Sequence, residues 1–129
     1  MGTANDAEAI LVTGACGHIG REVCRVLRDA DGKILPLDLN HDKTRDILAC
    51  DLRSRSDVSQ LFQAYPIRAV IHLAGILPSA FQTDPLTGAD VNLGGSCELM
   101  RQSAAAHVRL HICQLHECLW IVSRTSASD

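Results

Sequence analysis

Long apolar runs and clusters of basic residues are both missing from this sequence of 129 residues. No apolar stretch approaches the roughly 20 residues of a membrane span, so we expect no spanning helix. The net charge is −3 and the basic residues are scattered, which argues against nucleic acid as a partner. The first residues carry Asp6 and Glu8 but no Lys or Arg, unlike a signal peptide. We therefore expect a soluble, cytoplasmic protein.

Disulfide bonds are not expected either. Six cysteines without a secretory signal do not indicate a disulfide framework. Most of them lie among apolar neighbours, where a free cysteine behaves as a small hydrophobic residue. We predict that the first four are packing residues, namely Cys16, Cys24, Cys50 and Cys97.

Residues 10–20 combine a short apolar strand, three glycines and the start of a helix. Gly14 would allow a tight exit from the strand, Gly17 would leave room for a pyrophosphate, and Gly20 would let the helix lie close to the strand. The helix, beginning near His18, would direct free backbone N–H groups at the phosphates. The glycines alone would also fit an ordinary tight turn, but the flanking strand and helix favour a dinucleotide-binding turn.

Apolar spacing predicts alternating strands and helices in the rest of the chain. The first helix is predicted to bury one stripe, formed by Ile19, Val23, Val26 and Leu27. Further strands are expected at residues 34–39, 47–50 and 69–73, and a capped helix at residues 54–65. Residues 78–85 are predicted to form a loop, followed by a long helix at residues 86–107.

The two glycines in the long helix, Gly94 and Gly95, should each weaken it by about 1 kcal/mol relative to Ala. Something should therefore lie close to that part of the backbone. The alternation of strands and helices is typical of a parallel sheet covered on both faces. We predict an α/β, Rossmann-like doubly wound sheet with the first strand central, the second and third on one side and the fourth on the other.

Asp38 lies at the end of the second strand, about twenty residues beyond the glycine turn, where a carboxylate can accept hydrogen bonds from both ribose hydroxyls of an adenosine. An acid there repels a 2′-phosphate and so favours NAD over NADP. The alternative is an ordinary solvated acid at a strand end. The basic residues Lys43 and Arg45 are close to Asp38 in sequence, so binding of NADP is left as an alternative.

Two further strand ends carry candidate residues. Asp51 follows the third strand, where it would accept a hydrogen bond from an adenine amino group or simply serve in a loop or cap. Ala74 and Gly75 follow the fourth strand, and small residues there suit the crevice at the switch point of the sheet. Gly75 is equally compatible with a plain turn.

Five ordered motifs together resemble the extended short-chain dehydrogenase/reductase family, and most closely its NAD-dependent epimerases and dehydratases of nucleotide sugars. The resemblance covers about residues 10–109. The motifs are Thr13-Gly14-Ala15-Cys16-Gly17-His18-Ile19-Gly20, Asp38, Asp51-Leu52, His72-Leu73-Ala74-Gly75 and Val91-Asn92-Leu93-Gly94-Gly95.

The resemblance implies an NAD cofactor and hydride transfer on a nucleotide sugar or similar alcohol. It implies that the glycine turn surrounds the pyrophosphate, that Asp38 holds the adenosine ribose, and that Asp51 and Leu52 flank the adenine. Asn92 matches an asparagine that the family has in the long helix near the site. The alternative is that Asn92 is a polar residue on a solvent-facing side of the helix. The implied cofactor-binding residues are Gly14, Gly17, His18, Ile19, Gly20, Asp38, Asp51, Leu52, Leu73, Ala74, Gly75 and Asn92.

The catalytic Tyr-x-x-x-Lys pair of that family does not occur in this sequence. In the family the tyrosine is the general acid or base, and the lysine lowers the pKa of the phenol. Here tyrosine occurs once, as Tyr65, and lysine twice, as Lys33 and Lys43, all upstream of the place after the fifth strand where the pair belongs. We therefore expect the sheet to be truncated after about its fifth strand and the chain to bind cofactor without catalysing.

This reading divides the chain into a flexible amino terminus at residues 1–9, a partial NAD(P)-binding Rossmann-like domain at residues 10–113 and a divergent tail at residues 114–129. The tail would follow from a frameshift, altered splice or premature stop. An alternative function is a non-catalytic interaction protein that modulates a full-length relative, or associates with itself, through its exposed sheet edge or tail.

Two alternatives involve histidines. The closely spaced His107, His111, Cys113, His116 and Cys118 are residue types that bind zinc, but their spacing fits no usual paired pattern. We expect a strand and an irregular terminus there, and no metal. The second alternative is an unrecognised enzyme in which His18 and His72 exchange protons. We expect instead that His18 is a turn residue and that His72 is a buried strand residue.

Overall fold

The computed structural model, which describes residues 8–40 and 42–113, is organised around a parallel sheet of five strands. The strands are β1 (Ala9–Thr13), β2 (Ile34–Asp38), β3 (Leu48–Ala49), β4 (Ile67–His72) and β5 (Arg109–Ile112). Their order in the sheet is β3-β2-β1-β4-β5, and every neighbouring pair is parallel. The Rossmann-like fold and the central position of the first strand are therefore confirmed.

Helices connect the strands. They are α1 (His18–Asp29), α2 (Arg55–Ala64), α3 (Pro78–Thr83), α4 (Pro85–Ala89) and α5 (Ser96–Ala105), with a short 3₁₀ turn at Lys43–Arg45. The predicted cap of α2 is present, because Ser54 Oγ accepts a hydrogen bond from the backbone N–H of Asp57.

Helices cover both faces of the sheet because alternate residues of β1 point to opposite sides. Leu11 packs in one core together with residues of α2 and α5, including Leu99, which is 0% exposed. Val12 packs in the other core with Cys24 of α1. All five residues of β1 are buried, as expected for a strand covered on both faces.

The long helix is present, but it contains a π turn at Asp90–Gly95 between α4 and α5. A Cβ added at Gly95 would lie 3.0 Å from Leu52 Cβ, so the expected close neighbour exists there. The same expectation is wrong for Gly94, where the nearest atom to an added Cβ is Ala89 O at 4.0 Å. One glycine permits helix packing, and the other has only an ordinary contact at its Cβ position.

Replacing Gly94 by Ala is therefore expected to stabilise the protein by about 0.5–1 kcal/mol, because Ala restricts the unfolded backbone and meets no clash. Urea unfolding followed by circular dichroism measures the change. Gly95→Ala is the matched comparison in the same π turn, and its tight contact with Leu52 predicts a lower stability. A loss of stability in both variants would contradict this account of the turn.

Three predictions from the apolar pattern are wrong. The segment between Pro78 and Pro85 contains the helix α3, because each proline occupies a first helical turn, where its missing N–H costs nothing. The buried face of α1 is centred on Gly20 and Cys24, so Ile19 is 56% exposed.

Val26 is likewise 51% exposed, since it too lies outside the buried stripe of α1. Cys97 is exposed and is not a packing residue, because the buried face of α5 consists of Glu98, Leu99 and Ser103. Cys24 is buried and Cys16 and Cys50 are partly buried, as predicted.

Within residues 8–40 and 42–113, no helix is long and apolar enough to cross a membrane. β1 begins at Ala9, one residue before the predicted domain boundary. The predicted amino-terminal segment before residue 8 and the predicted tail at residues 114–129 lie outside the described residues. Association through an exposed sheet edge or the tail stays a prediction.

Candidate functional site

A cleft of about 320 Å³ lies where β1, β2 and β4 end. This is the crevice at the carboxyl ends of parallel strands, where open α/β sheets bind their ligands. Its lining comes from the ends of the strands, the glycine turn and the segments that follow β2, β3 and β4. The lining residues are Thr13, Gly14, Gly17, Leu37, Asp38, Leu39, Asn40, Cys50, Leu52, Leu73, Ala74 and Gly75.

The glycine turn leaves no room for side chains at two of its three glycines. Gly14 has a φ of +70°, and a Cβ there would lie 2.7 Å from the backbone nitrogen of Ala74. A Cβ at Gly20 would lie 2.0 Å from Gly14 O, so this glycine allows the close approach of α1 to the turn. At Gly17 the nearest atom is Gly14 O at 3.4 Å, an ordinary contact.

The helix α1 starts directly after Gly17, and no side chain caps it by a hydrogen bond among the residues described. The free N–H groups of a first helical turn, together with the helix dipole, form a natural site for an anion. Because Gly17 lines the cleft and His18 begins α1, the amino end of the helix lies at the cleft. His18 and Ile19 are both exposed there.

Asp38 is held in place by two backbone groups. Its Oδ2 accepts a hydrogen bond from the N–H of Cys16 at 2.9 Å, and its Oδ1 accepts one from the N–H of Leu39 at 2.7 Å. Each carboxylate oxygen therefore keeps free acceptor capacity. These bonds tie the end of β2 to the glycine turn, so the carboxylate stands at a fixed point on the cleft wall.

One cationic side chain beside this wall, Arg45, is already paired. Arg45 Nε lies 2.7 Å from Asp42 Oδ2, and hydrogen bonds from Thr44 and Arg45 lower the pKa of Asp42 to about 2. One Arg45 nitrogen also lies 4.0 Å from Cys16 Sγ. The side chain of Lys43 lies outside the described residues. The guanidinium thus forms an ion pair beside the cleft.

Two thiols near the cleft stay protonated at neutral pH. Burial raises the pKa of the Cys50 thiol to about 11. Burial, and next the charge of Asp38, raises the pKa of Cys16 above its ordinary value. Neither sulfur therefore places a negative charge beside a bound anion.

Asp51 forms a local ion pair. Its carboxylate is bound by the Arg53 side chain, with Arg53 Nη2 2.8 Å from Asp51 Oδ2, and these bonds lower the pKa of Asp51. The flanking Cys50 and Leu52 line the cleft, whereas Asp51 is not among the lining residues. A contact between Asp51 and an adenine stays a prediction.

The loop after β4 is clamped to the π turn. Asn92 Oδ1 accepts a hydrogen bond from the N–H of Ile76 at 2.7 Å, and Asn92 Nδ2 donates one to Ile76 O at 3.1 Å. A Cβ at Gly75 would lie 3.4 Å from Asn92 Oδ1. Asn92 therefore holds the loop that carries Gly75, and the alternative of a polar residue on a solvent face does not describe it.

Seven of the twelve predicted site residues line the cleft, and these are Gly14, Gly17, Asp38, Leu52, Leu73, Ala74 and Gly75. Gly20 and Asn92 support the turn and the loop from behind, His18 and Ile19 begin α1, and Asp51 lies between two lining residues. Sequence reasoning missed Thr13, Leu37, Leu39, Asn40 and Cys50. Each of them lies one or two positions from a predicted site residue. Their position at the end of a strand is therefore the sequence signal that could have identified them.

Metal ligands do not gather among the residues described: no group of three or more His, Cys, Asp or Glu side chains is placed to hold an ion. His116 and Cys118, two members of the zinc alternative, lie outside the described residues.

Comparisons with known proteins agree with this geometry. The model of the "NAD dependent epimerase/dehydratase family" matches residues 10–116. A UDP-glucose 4-epimerase of Yersinia pestis is 33% identical in an alignment of 115 positions that covers 78% of this chain and 34% of that protein. The chain thus spans about a third of the length of this relative.

Two solved structures show the same fold with different activities. The UDP-glucose-4-epimerase from Stenotrophomonas maltophila, with bound NAD, is 28% identical with a TM-score of 0.70, covering 82% of this chain and 36% of that one. A monomeric L-threonine 3-dehydrogenase from a metagenome is 31% identical with a TM-score of 0.74, covering 78% of this chain and 34% of that one. Similarity of this degree does not select a substrate.

Proposed function

The chain belongs to the NAD-dependent epimerase/dehydratase family, and from this premise we propose that its cleft binds NAD in preference to NADP. The observation that carries the proposal is the meeting of Gly17, Asp38 and Gly75 on the wall of one cleft. These residues come from three different strand ends, and a dinucleotide has a phosphate group, a ribose and a nicotinamide to be held there.

The pyrophosphate is assigned to the amino end of α1. Gly17 has no side chain and only an ordinary contact at its Cβ position, so a phosphate can approach the backbone. The first-turn N–H groups and the helix dipole favour the negative charge. The protonated thiols of Cys16 and Cys50 add no opposing charge.

The adenosine ribose is assigned to Asp38. Its carboxylate is fixed by the N–H groups of Cys16 and Leu39 and retains lone pairs for two ribose hydroxyls. A 2′-phosphate would meet this negative charge. Arg45 is close enough to interact electrostatically with Asp38, but its guanidinium is paired with Asp42. The arrangement therefore favours NAD.

The nicotinamide end is assigned to the loop after β4, where Leu73, Ala74 and Gly75 line the cleft. When bound, NAD supplies a hydride acceptor, and the parent chemistry we assign is hydride transfer on a nucleotide sugar or similar alcohol. The part of this chain is to hold and orient the cofactor. Asn92 contributes by fixing the backbone of Ile76.

We assign binding, and not catalysis, to these 129 residues alone. Tyr65 follows α2 and precedes β4, so it lies at the amino ends of the strands, across the sheet from the cleft. Lys33 precedes β2 and lies at the same far edge. No Tyr-x-x-x-Lys pair occurs in the sequence, so the acid–base pair of this family would have to come from residues outside it.

Calorimetric titration of the purified chain with NAD and NADP tests the proposal. We expect Asp38→Asn to weaken NAD binding about tenfold, because it removes a charge-assisted hydrogen bond to the ribose, and to weaken NADP binding less. Asp31→Asn is the matched control: it makes the same charge change after the far end of α1, and Asn tolerates the φ of 56° found there. Equal effects of the two variants, or tighter binding of NADP than of NAD by the unmodified chain, would contradict the assignment.

A further inference from the structure

His72, the last residue of β4, is 2% exposed and stands at the junction of three elements that shape the cleft. Its Nδ1 lies 2.6 Å from Thr13 Oγ1 at the end of β1. Its Nε2 lies 2.9 Å from Ser96 Oγ at the start of α5. The nucleotide contacts assigned above do not use this imidazole.

The direction of the bond to Thr13 follows from the other groups around that hydroxyl. Thr13 Oγ1 lies 3.1 Å from the backbone nitrogens of both Leu73 and Ala74, which can only donate. The N–H of Leu73 is shared with the carbonyl of Thr13 at 3.3 Å. With two donors aimed at its oxygen, the hydroxyl has its own proton left to give, so it donates to His72 Nδ1.

The bond to Ser96, at the other ring nitrogen, indicates the same protonation state of His72. Ser96 Oγ lies 2.6 Å from the carbonyl oxygen of Asn92, which can only accept, so the serine proton is committed there. The backbone N–H of Ser96 bonds to Leu93 O. Ser96 Oγ is therefore the acceptor for His72 Nε2, and Nε2 must carry a proton.

We propose that His72 is a positioning residue which, as the neutral imidazole with its proton on Nε2, sets the direction of one hydrogen-bond chain through Thr13, Ser96 and Asn92. The chain joins the end of β1, the loop after β4 and the π turn. Thr13, Leu73 and Ala74 line the cleft, so the imidazole fixes its shape without touching the ligand.

This junction leaves little room for the loop after β4 to move. A Cβ at Gly14 would lie 2.7 Å from the nitrogen of Ala74, the same nitrogen that donates to Thr13. A shift of the loop after β4 would therefore move the wall against the glycine turn. The effect of His72 on cofactor affinity rests on the proposed function, whereas its protonation state does not.

Protonation of the imidazole would break the chain, because Nδ1–H would face a hydroxyl that already receives two donors. Around His72, β1 presents Thr13 and α5 presents Ser96, and the backbone N–H of Cys113, the residue after β5, donates to the carbonyl of His72 at 3.1 Å. Only Cys113 among these carries a titratable group, and its side chain is exposed. Burial lowers the pKa of His72 below its usual 6.5, in agreement with a neutral ring.

The decisive experiment is a long-range ¹H–¹⁵N correlation spectrum of the histidine rings in the cofactor-free chain, recorded over pH 5–8, with the His72 signal assigned by its loss in His72→Gln. We expect a bare Nδ1 and a protonated Nε2 that persist below pH 6.5, where an unperturbed imidazole becomes mostly charged. A proton on Nδ1, or titration of the His72 ring at the ordinary pKa, would overturn the proposal whether or not NAD binds.

Two variants of Ser96 test the consequence for the cleft. Ser96→Ala removes the acceptor for Nε2–H and should weaken NAD binding about tenfold, whereas Ser96→Thr keeps the hydroxyl and should restore it. In the unmodified chain, NAD affinity should hold at neutral pH and fall as the pH drops through the lowered pKa of His72. Equal NAD affinity in all three proteins at every pH would show that the chain does not position the cleft.

The sign of the stability effect follows from the same shift. Because the pKa of His72 is lower in the folded than in the unfolded chain, its contribution to stability is fully present above about pH 6.5 and decreases as the pH falls toward the folded value.

Discussion

Replacing Gly20 by Ala is expected to destabilise the protein by about 3 kcal/mol or more, and in a marginal domain to unfold it. An added Cβ would lie 2.0 Å from Gly14 O, 2.8 Å from Gly14 C and 2.9 Å from Ala15 Cα. All three are backbone atoms, so no side-chain rotation can relieve the contact. The helix α1 would have to move away from the glycine turn and from the core that contains Val12 and Cys24.

Urea and thermal unfolding followed by circular dichroism measure this loss. Gly94→Ala is the matched control, since it adds the same methyl group to a glycine with no close neighbour. If Gly20→Ala unfolded at the same denaturant concentration as the unmodified chain, the close packing of α1 on the turn would be refuted.

The parts of the fold that sequence alone predicts are those set by local patterns. The spacing of Gly14, Gly17 and Gly20 between a strand and a helix identifies the turn because each position has a separate steric requirement. The position of Asp38 follows, since β2 pairs in parallel with β1 and both strands end at the same edge of the sheet. Parallel pairing is thus enough to bring these motifs to one cleft.

The misses have a different origin. Ile19 and Val26 match a helical apolar stripe, but which stripe is buried depends on how α1 lies against the sheet, and Gly20 fixes that by its contact with Gly14. The helix α3 was predicted as a loop, since a proline gives the same local signal at a helix start as in a loop. Local patterns do not distinguish these cases.

The His72 chain shows why site geometry is harder to predict than fold. Thr13 and His72 are 59 positions apart, and His72 and Ser96 are 24 positions apart. No short stretch of the sequence therefore contains both members of either pair. The sequence suggests a buried strand histidine, which is correct. The proton position follows only when the acceptors and donors on both sides of the ring are counted.

Replacing Gly17 by Ala is expected to weaken NAD binding by about 10- to 100-fold while leaving the fold intact. Of the three glycines in the turn, this is the one where a Cβ meets only an ordinary contact, with Gly14 O at 3.4 Å. Its φ of −71° is open to any residue. The methyl group would instead occupy space beside the amino end of α1, and an overpacking cost of about 1–3 kcal/mol would fall on the complex alone.

Calorimetric titration with NAD, paired with urea unfolding, separates this effect from that of Gly20→Ala. A turn built for a phosphate predicts that Gly17→Ala loses affinity with unchanged stability, while Gly20→Ala loses stability first. A turn built only for packing predicts that Gly17→Ala changes neither quantity, since its Cβ meets no tight contact in the free protein. Unaltered NAD affinity in Gly17→Ala would therefore contradict the assignment of the pyrophosphate to the amino end of α1, even if NAD bound elsewhere in the cleft.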